Sequence, residues 1–269
     1  MEMKNVIITG ASSGIGKALV YEYYKRGFQI TMAARNFEAM EIIAHDLDPE
    51  LKNILLVKTD VVKEYDCRNL IELSLIRFGR IDILINNAGI SMRALFSDLH
   101  LDVVRKVMDV NFWGTVYCTK FALPHLLKTK GSVVGVISIA AYLGLPARSA
   151  YSASKFAVRG FFDALRVENL KTGLHVLLVA PGFTTSNVRF SALTADGSQQ
   201  GETPRDESKM MSSEEVALHI AEGVSNRKAE IILTFVEGKL SVFLKKFFPR
   251  LVEKLTYNHM AKEPNSPLK

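Results

Sequence analysis

A tyrosine and a lysine stand four positions apart at Tyr151 and Lys155. Positions i and i+4 share a helix face, so the phenol and the ammonium would lie side by side. Free tyrosine has a pKa of about 10, and a nearby lysine charge lowers it by favouring the phenolate. The pair could therefore act as an acid/base group near neutral pH. The same spacing also occurs on ordinary solvated helices, so it establishes no function alone.

A glycine-rich stretch near the N-terminus predicts a second chemical element. An apolar run at residues 6–8 leads into Thr-Gly-Ala-Ser-Ser-Gly-Ile-Gly at residues 9–16, and an apolar helical pattern follows. In a strand–turn–helix unit, Gly10 permits the tight turn, Gly14 lets the backbone approach a pyrophosphate, and Gly16 packs helix on strand. Such turns also occur without ligands, but the immediate sequence of strand, turn and helix favours nucleotide binding.

Composition and charge narrow the class of protein. A chain of 269 residues with 48% hydrophobic content can bury one sizeable core, and no linker divides it. The net charge of +6 comes without the basic, aromatic-interleaved cluster of a nucleic-acid surface, so no nucleic-acid partner is expected. No stretch is long and apolar enough to cross a bilayer. Because the first predicted strand begins so early, we expect no signal peptide and a cytoplasmic location.

Cysteines and histidines give no sign of a metal or redox site. Cys67 and Cys118 lie in helix-like contexts without metal or redox spacing, which predicts buried free thiols in a reducing compartment. The six histidines are scattered, so no metal site is expected.

Short β-branched runs alternate with helical segments along the chain. Strands are predicted near residues 5–9, 29–33, 54–58, 81–85, 132–138, 175–180 and 230–233. The longest helices are predicted at 101–128 and 151–172. Nearly continuous apolar strands separated by helices predict a parallel sheet covered on both faces. We therefore expect an α/β fold: a single, doubly wound Rossmann domain with a seven-stranded parallel sheet.

The chemically distinctive residues follow the predicted strands. The glycine turn follows the first strand, and Asp60 and Val61 follow the third strand. The fourth strand is followed by Asn-Asn-Ala-Gly at residues 86–89, and the sixth strand is followed by Pro-Gly at residues 181–182. Ser138 ends the fifth strand. In doubly wound folds the carboxyl ends of the strands form the ligand crevice, so these groups can share one site. Singly, each is better explained as an ordinary turn or strand-end residue.

In this order and spacing the motifs resemble the short-chain dehydrogenase/reductase family, over roughly residues 4–233. The resemblance rests on the glycine turn, residues 86–89, Asn111, Ser138 thirteen positions before Tyr151, Lys155, and residues 181–182. It implies that Tyr151 exchanges a proton with the substrate oxygen and that Ser138 hydrogen-bonds that oxygen. Lys155 would hold the nicotinamide ribose and depress the tyrosine pKa, and Asn111 would anchor a water. The cofactor contacts would come from Gly10, Ser12, Ser13, Gly14, Ile15, Gly16, Arg35, Asn36, Asp60, Val61, Asn87, Ala88, Gly89, Tyr151, Lys155, Pro181, Gly182, Thr184 and Ser186.

The end of the second predicted strand indicates which nicotinamide cofactor is bound. NAD enzymes usually carry an acidic residue there to bond the ribose 2′-hydroxyl. This chain has Ala34 followed by Arg35, and an arginine can bind a 2′-phosphate bidentately. NADP is therefore favoured over NAD, although an exposed arginine without a ligand is the alternative.

Two segments depart from the common family pattern. After Gly182 the chain reads Phe-Thr-Thr-Ser, so Ser186 stands where a threonine is usual. The irregular stretch 191–213, within a predicted lid near 184–213, is equally well explained as a mobile lid or as a surface loop.

Residues 237–269 form a predicted amphipathic extension of the catalytic domain at 1–236. An apolar stripe and a set of basic residues share a helix that could bend at Pro249. The stripe comprises Leu240, Phe243, Leu244, Phe247, Phe248, Leu251, Val252 and Leu255. The helix could touch a membrane, cap a substrate pocket or pack within the protein. Together with residues 194–198, the extension resembles the hydroxysteroid-dehydrogenase-like branch, which includes orphan mammalian reductases.

The sequence thus predicts an NADP-dependent oxidoreductase acting on a carbonyl/secondary-alcohol pair, with a bulky, apolar substrate. Two alternatives remain open: a dinucleotide-sensing regulator without activity, and a nucleotide-sugar epimerase or dehydratase. By resemblance, the helices at 101–128 and 151–172 would form the contact in a homodimer or homotetramer. A peripheral membrane contact through the C-terminal helix is a further expectation.

Overall fold

The fold was analysed in a computed structural model that describes residues 3–185, 188–201, 203 and 210–268. Seven parallel strands form one sheet in the order β3-β2-β1-β4-β5-β6-β7. They are β1 (Asn5–Thr9), β2 (Gln29–Ala34), β3 (Ile54–Lys58), β4 (Ile83–Asn86), β5 (Ser132–Val136), β6 (His175–Ala180) and β7 (Glu230–Ile232). The predicted α/β fold is confirmed.

Helices connect the strands and continue beyond the last one. They are α1 (Gly14–Lys25), α2 (Phe37–Leu47), α3 (Glu64–Phe78), α4 (Leu101–Met108), α5 (Gly114–Thr129), α6 (Ser149–Glu168), α7 (Ser213–Ser225), α8 (Ser241–Phe247) and α9 (Pro249–Ala261). Among the described residues, no helix is both long and apolar enough to cross a membrane.

Each face of the sheet carries its own apolar core because successive strand residues point to opposite sides. Ile7 of β1 packs with the core formed by α3, α5 and α6, where Phe162 is fully buried. Ile8 packs on the other side, with α1, α2 and α7, where Leu19 is fully buried. The two cores hold the seven strands in register. The carboxyl ends of the strands therefore lie along one edge of the sheet.

Two strand boundaries differ from the predicted ones by two residues, and the others agree to within one residue. The fourth strand begins at Ile83 rather than residue 81, because the Asp82 carboxylate accepts the Asn5 N–H at 2.9 Å in place of a strand carbonyl. The fifth strand ends at Val136 rather than Ser138. Ser138 instead accepts the N–H of Ala140 and starts a short 3₁₀ turn.

The predicted helix at 101–128 is not continuous. A π-helical turn, Asp109–Trp113, separates α4 from α5. Such turns often mark functional sites, and this one contains Asn111. The predicted helix at 151–172 is also shifted, since α6 runs from Ser149 to Glu168.

The C-terminal extension starts earlier than predicted and breaks where expected. A π-helical turn, Phe235–Leu240, leads into α8, and Pro249 opens α9 as a separate helix after Phe248. A proline is tolerated in the first helical turn, where its missing N–H has no partner to lose. The extension is therefore two short helices rather than one bent helix.

Cys67 and Cys118 are both buried and form no disulfide, as the sequence predicted. A side-chain hydrogen bond with Cys67, together with burial, raises the pKa of Cys118. The two thiols are therefore part of the core between α3 and α5.

Candidate active site

A cleft of about 1120 Å³ lies at the carboxyl ends of the strands. It brings together most of the predicted site residues. Those that line it are Gly10, Ser12, Ser13, Gly14, Ile15, Arg35, Asn36, Asp60, Val61, Asn87, Ala88, Gly89, Ser138, Tyr151, Lys155, Pro181, Gly182 and Thr184. Gly16 and Asn111 are not among the lining residues, and Ser186 lies outside the described residues.

The glycine turn after β1 has the conformation that only glycines adopt easily. Gly10 and Gly14 both have positive φ angles, of 68° and 50°. A Cβ on Gly16 would lie 2.0 Å from the carbonyl oxygen of Gly10. Gly16 therefore serves close packing of α1 on the turn, whereas Gly10 and Gly14 shape a concave surface at the helix N-terminus. Such a surface fits a pyrophosphate.

Thr9 and Asn87 hold this turn against the end of β4. The Thr9 hydroxyl oxygen accepts the N–H groups of Asn87 and Ala88, each at 3.0 Å. In return, the Asn87 side-chain amide donates to the Thr9 carbonyl at 2.9 Å. These reciprocal bonds fix the two loops that face the cleft.

Tyr151 and Ser138, which the sequence predicts to act on the substrate oxygen, both line the cleft. Tyr151 lies in the first turn of α6. Burial raises the pKa of the Tyr151 phenol, while a hydrogen bond with Ser138 and the charge of Arg148 act in the opposite direction. The raised pKa differs from the lowered one that the spacing of Tyr151 and Lys155 predicted, because burial outweighs the nearby charge. The raised pKa keeps the proton on Tyr151 at neutral pH.

Lys155 is held on the same helix, one turn further along. Its ammonium nitrogen donates to the Val136 carbonyl at 2.9 Å and lies 5.7 Å from the centre of the Tyr151 ring. Burial lowers the pKa of Lys155 to about 8. The lysine therefore reaches across from α6 to the end of β5 and presents its charge to the cleft.

Asn111 anchors the loop after β4 rather than lining the cleft. Its amide oxygen accepts the Ile90 N–H at 2.8 Å, and its amide nitrogen donates to the Ile90 carbonyl and to the Ser154 hydroxyl. The Thr115 hydroxyl donates to the Asn111 carbonyl at 2.8 Å. The predicted water-anchoring role stays a prediction.

Arg35 and Asn36 follow β2 at the opposite end of the cleft. Ala34 is buried, whereas Arg35 is exposed. The Asn36 side chain accepts the Ala39 N–H at 3.0 Å and caps α2. Asn36 thus has a structural role that the sequence analysis did not assign. The charged side chain of Arg35 lines the cleft.

Residues after β6 complete the floor of the cleft. A Cβ on Gly182 would lie 2.5 Å from the Thr234 side chain, so this position requires glycine. Thr184 is buried, and its carbonyl accepts a bond from Arg189 at 2.7 Å. Further along the predicted lid, Leu193 is buried against Met92.

The cleft wall contains residues that sequence analysis missed. Arg148, three positions before Tyr151, is buried and lines the cleft. Glu263, beyond the last helix, also lines it and lies 3.6 Å from Arg148. The position of Arg148 on the tyrosine's own helical turn could have signalled it. No spacing could have signalled Glu263, because only the tertiary fold brings it there.

The family model for short chain dehydrogenase matches residues 4–196. The chain belongs to this family. Its members are oxidoreductases, and membership favours the enzymatic interpretation of the site over a regulatory one. The glycine turn, Ser138, Tyr151 and Lys155 all lie within the matched residues.

Two relatives agree with the predicted branch of this family. Dehydrogenase/reductase SDR family member 7B of Rattus norvegicus is 34% identical over 268 residues, covering 97% of this chain and 82% of the relative. The 11-beta-hydroxysteroid dehydrogenase-like 3 protein of Arabidopsis thaliana is 41% identical over 188 residues, covering 69% of this chain and 60% of the relative. The hydroxysteroid-dehydrogenase-like resemblance is confirmed.

Two solved structures share the fold. A short chain dehydrogenase/reductase from Burkholderia phymatum, in complex with NAD, has a TM-score of 0.82 at 22% identity, covering 93% of this chain and 95% of that one. ElxO with NADP bound has a TM-score of 0.73 at 31% identity, and the match covers 82% of this chain and 91% of ElxO. A nicotinamide dinucleotide is thus bound in both neighbours, NAD in one and NADP in the other.

Proposed function

We propose that the protein is an NADP(H)-dependent oxidoreductase that interconverts a carbonyl and a secondary alcohol on a bulky, apolar substrate. The observation that carries this proposal is the convergence of Ser138, Tyr151 and Lys155 on the cleft that also contains the glycine turn. The nicotinamide supplies or accepts the hydride when it is bound. The chain contributes the proton and the electrostatic environment.

The cleft suits the dinucleotide at both of its ends. The positive-φ glycines and the N-terminus of α1 present backbone N–H groups to a pyrophosphate. Arg35, beside the small Ala34, offers a guanidinium to a 2′-phosphate, where a carboxylate would repel it. ElxO, which is 31% identical, also binds NADP.

Each catalytic residue has a role in the proton transfer. Tyr151 donates its proton to the substrate oxygen during reduction and takes it back during oxidation. Ser138 hydrogen-bonds that oxygen while negative charge develops on it. Lys155 stabilises the phenolate that remains on Tyr151. Lys155 is buried and the other two residues are partly buried, which strengthens these interactions because less water screens them.

The wall of the cleft supports an apolar substrate. Beyond the cofactor-binding turn, the lining includes Leu143, Leu145, Phe183 and Val188. Leu255, from the C-terminal extension, lines the same cleft. Apolar side chains such as these favour ligands that bury hydrocarbon surface.

A panel of carbonyl compounds tests the activity. Purified protein is given NADPH or NADH with steroid ketones, aromatic aldehydes, quinones and short polar ketones, and nucleotide absorbance is followed. We expect NADPH consumption with the larger apolar members. The proposal fails if no member of the panel is turned over, or if short polar ketones are preferred.

Part of the C-terminal stripe supports contact with a lipid surface. Val252 is buried, Leu244 packs on the core and Leu255 lines the cleft, but the four other residues of the stripe beyond Leu240 are exposed outside the cleft lining. We call these residues the C-terminal apolar face: Phe243, Phe247, Phe248 and Leu251, which are between 50% and 63% exposed. Lys246, Arg250 and Lys254 are exposed around them. Aromatic groups among cations suit an anionic bilayer surface. We therefore propose that the protein lies in the cytoplasm and binds peripherally to a membrane.

Exposed apolar residues elsewhere support self-association. Leu101, Trp113 and Val167 lie on the two helical segments expected to form a subunit contact, and all are more than 40% exposed. A homodimer or homotetramer would cover them. Light scattering coupled to size exclusion measures the mass, and a purely monomeric protein would contradict this part of the proposal.

A further inference from the structure

The C-terminal end of the chain is fixed to the cleft wall by a buried cluster of three charges. Glu263 lies 3.5 Å from the guanidinium of Arg93 and 3.6 Å from that of Arg148. All three side chains are at least nine-tenths buried. Arg93 also donates to the Pro264 carbonyl at 2.6 Å. The cluster therefore ties the end of the chain to two separate loops.

Both arginines belong to segments that shape the substrate side of the cleft. Arg93 lies between β4 and α4, and its N–H donates to the Leu193 carbonyl at 2.8 Å. Arg148 immediately precedes α6 and lines the cleft beside Tyr151, whose pKa its charge lowers. Glu263 lines the cleft too. The cluster thus stands at the wall of the reaction site.

The Glu263 carboxylate lies within ion-pair distance of both guanidiniums. The buried Nε of Arg93 has no hydrogen-bond partner within the described part of the chain. Buried arginines bind carboxylates strongly, often through two parallel hydrogen bonds. Together, Arg93 and Arg148 therefore form an anion site, and the protein fills it with its own carboxylate.

We propose that Glu263 determines the charge of the accepted substrate, because its carboxylate occupies the Arg93–Arg148 anion site and so restricts the cleft to uncharged carbonyl compounds. This inference rests on the proposed reductase activity. A substrate carboxylate would have to displace Glu263 and leave that side chain buried without its partners, which is costly. Without the Glu263 charge, the two buried cations would instead favour an anionic substrate.

The test compares Glu263→Gln with wild type on matched substrates. Glu263→Gln keeps the size of the side chain and removes its charge. Glu253→Gln is the control, because Glu253 is exposed on α9. The substrates are benzaldehyde and its 3- and 4-carboxylate derivatives, reduced with NADPH. We expect the kcat/KM ratio of carboxylated to neutral aldehyde to rise at least about tenfold in Glu263→Gln alone. An unchanged ratio, or a wild type that already prefers the carboxylates, overturns the inference.

A binding measurement separates this inference from the proposed function. Benzoate and neutral benzamide are titrated in thermal unfolding experiments, which need no turnover. Benzoate, but not benzamide, should raise the Tm of Glu263→Gln, while neither affects wild type or Glu253→Gln. This holds even if Glu263→Gln is destabilised, because benzoate would replace the missing charge. If no aldehyde is reduced by wild type, the proposed function fails while this result still decides the inference. Equal effects of benzoate on all three proteins, or on none, contradict it.

Discussion

Lys155 holds its ammonium nitrogen 5.7 Å from the ring centre of Tyr151, one turn further along α6. The lysine is fixed there by its bond to the Val136 carbonyl, and Ser138 lines the same cleft from the segment after β5. Helix α6 and the end of β5 together set the geometry of the proposed proton-transfer pair. Changes to either residue should therefore have separable effects on turnover and on stability.

Replacing Tyr151 with phenylalanine should lower kcat at least about 100-fold, because the ring alone cannot donate a proton. NADPH affinity, measured by fluorescence titration, should change only a few-fold. Tyr65→Phe is the matched control, since Tyr65 is exposed on α3 and does not line the cleft. Turnover within several-fold of wild type in Tyr151→Phe would rule out its role as proton donor.

Arg35→Asp should shift the cofactor preference from NADP toward NAD. One charge-assisted contact is lost and one repulsion is gained, which together should cost at least about 2 kcal/mol in NADP discrimination. The ratio of kcat/KM for the two cofactors measures the shift. Arg105→Asp, on the exposed surface of α4, should leave the ratio unchanged. If both variants behave alike, Arg35 does not read the 2′-phosphate.

Lys155 should make the protein more stable as the pH rises. Its pKa is about 8 in the folded protein against an ordinary value of 10.5, because burial disfavours the charged form. Between these values the unfolded chain binds more protons, so the free energy of unfolding increases with pH. Relative to Lys155→Met, wild type should gain about 3 kcal/mol between pH 7 and pH 11.

Chemical denaturation of both proteins across this pH range measures the difference. Lys120→Met, which removes an exposed lysine of α5, should run parallel to wild type. A difference between wild type and Lys155→Met that is independent of pH would show that the lysine is not perturbed by burial.

Gly16→Ala and Gly160→Ala should change stability in opposite directions. The new Cβ at position 16 would lie 2.0 Å from the Gly10 carbonyl oxygen, a backbone atom that cannot move cheaply. We expect a loss of at least about 2 kcal/mol. The exposed Gly160 has open space and lies within α6, so alanine there should add about 0.5–1 kcal/mol. Urea unfolding measures the free energy of unfolding of both variants. Equal effects of the two substitutions would contradict the close packing at Gly16.

The double change Phe243→Asp and Phe247→Asp should weaken binding to vesicles that contain anionic phospholipid. These rings are exposed in the C-terminal apolar face and contact each other at 5.3 Å between centroids. Vesicle flotation measures binding, with neutral vesicles and high salt as controls. Phe96→Asp, at another exposed phenylalanine, should bind like wild type. Equal binding by all variants would show that the C-terminal apolar face does not bind the membrane.

The sheet and the cleft could be predicted because their signals are local. Most strands are nearly continuous apolar runs, and Gly10 and Gly16 occupy a turn whose geometry demands glycine. The break at Pro249 follows from proline's ring alone. For the same reason, the sequence alone predicts Ser138, Tyr151 and Lys155 at one edge of the sheet.

Other features depend on tertiary contacts that no pattern encodes. The π-helical turn around Asn111 exists where that side chain bonds the Ile90 backbone, and the sequence there reads as ordinary helix. The raised pKa of Tyr151 reflects how deeply the ring is buried, whereas the spacing to Lys155 reports only a neighbour. Nothing near Glu263 in the sequence indicates its arginine partners.

The tie between Arg93 and the C-terminal end also has a consequence for biosynthesis. Its bond to the Pro264 carbonyl spans 171 positions of the chain. Contacts of such separation form late in folding, whereas β1 pairs with the nearby β2. A nascent chain can thus build its dinucleotide turn early, yet this part of its substrate wall closes only after residues 263–264 have been made. A variant that lacks residues 263–264 would keep the sheet and lose this tie.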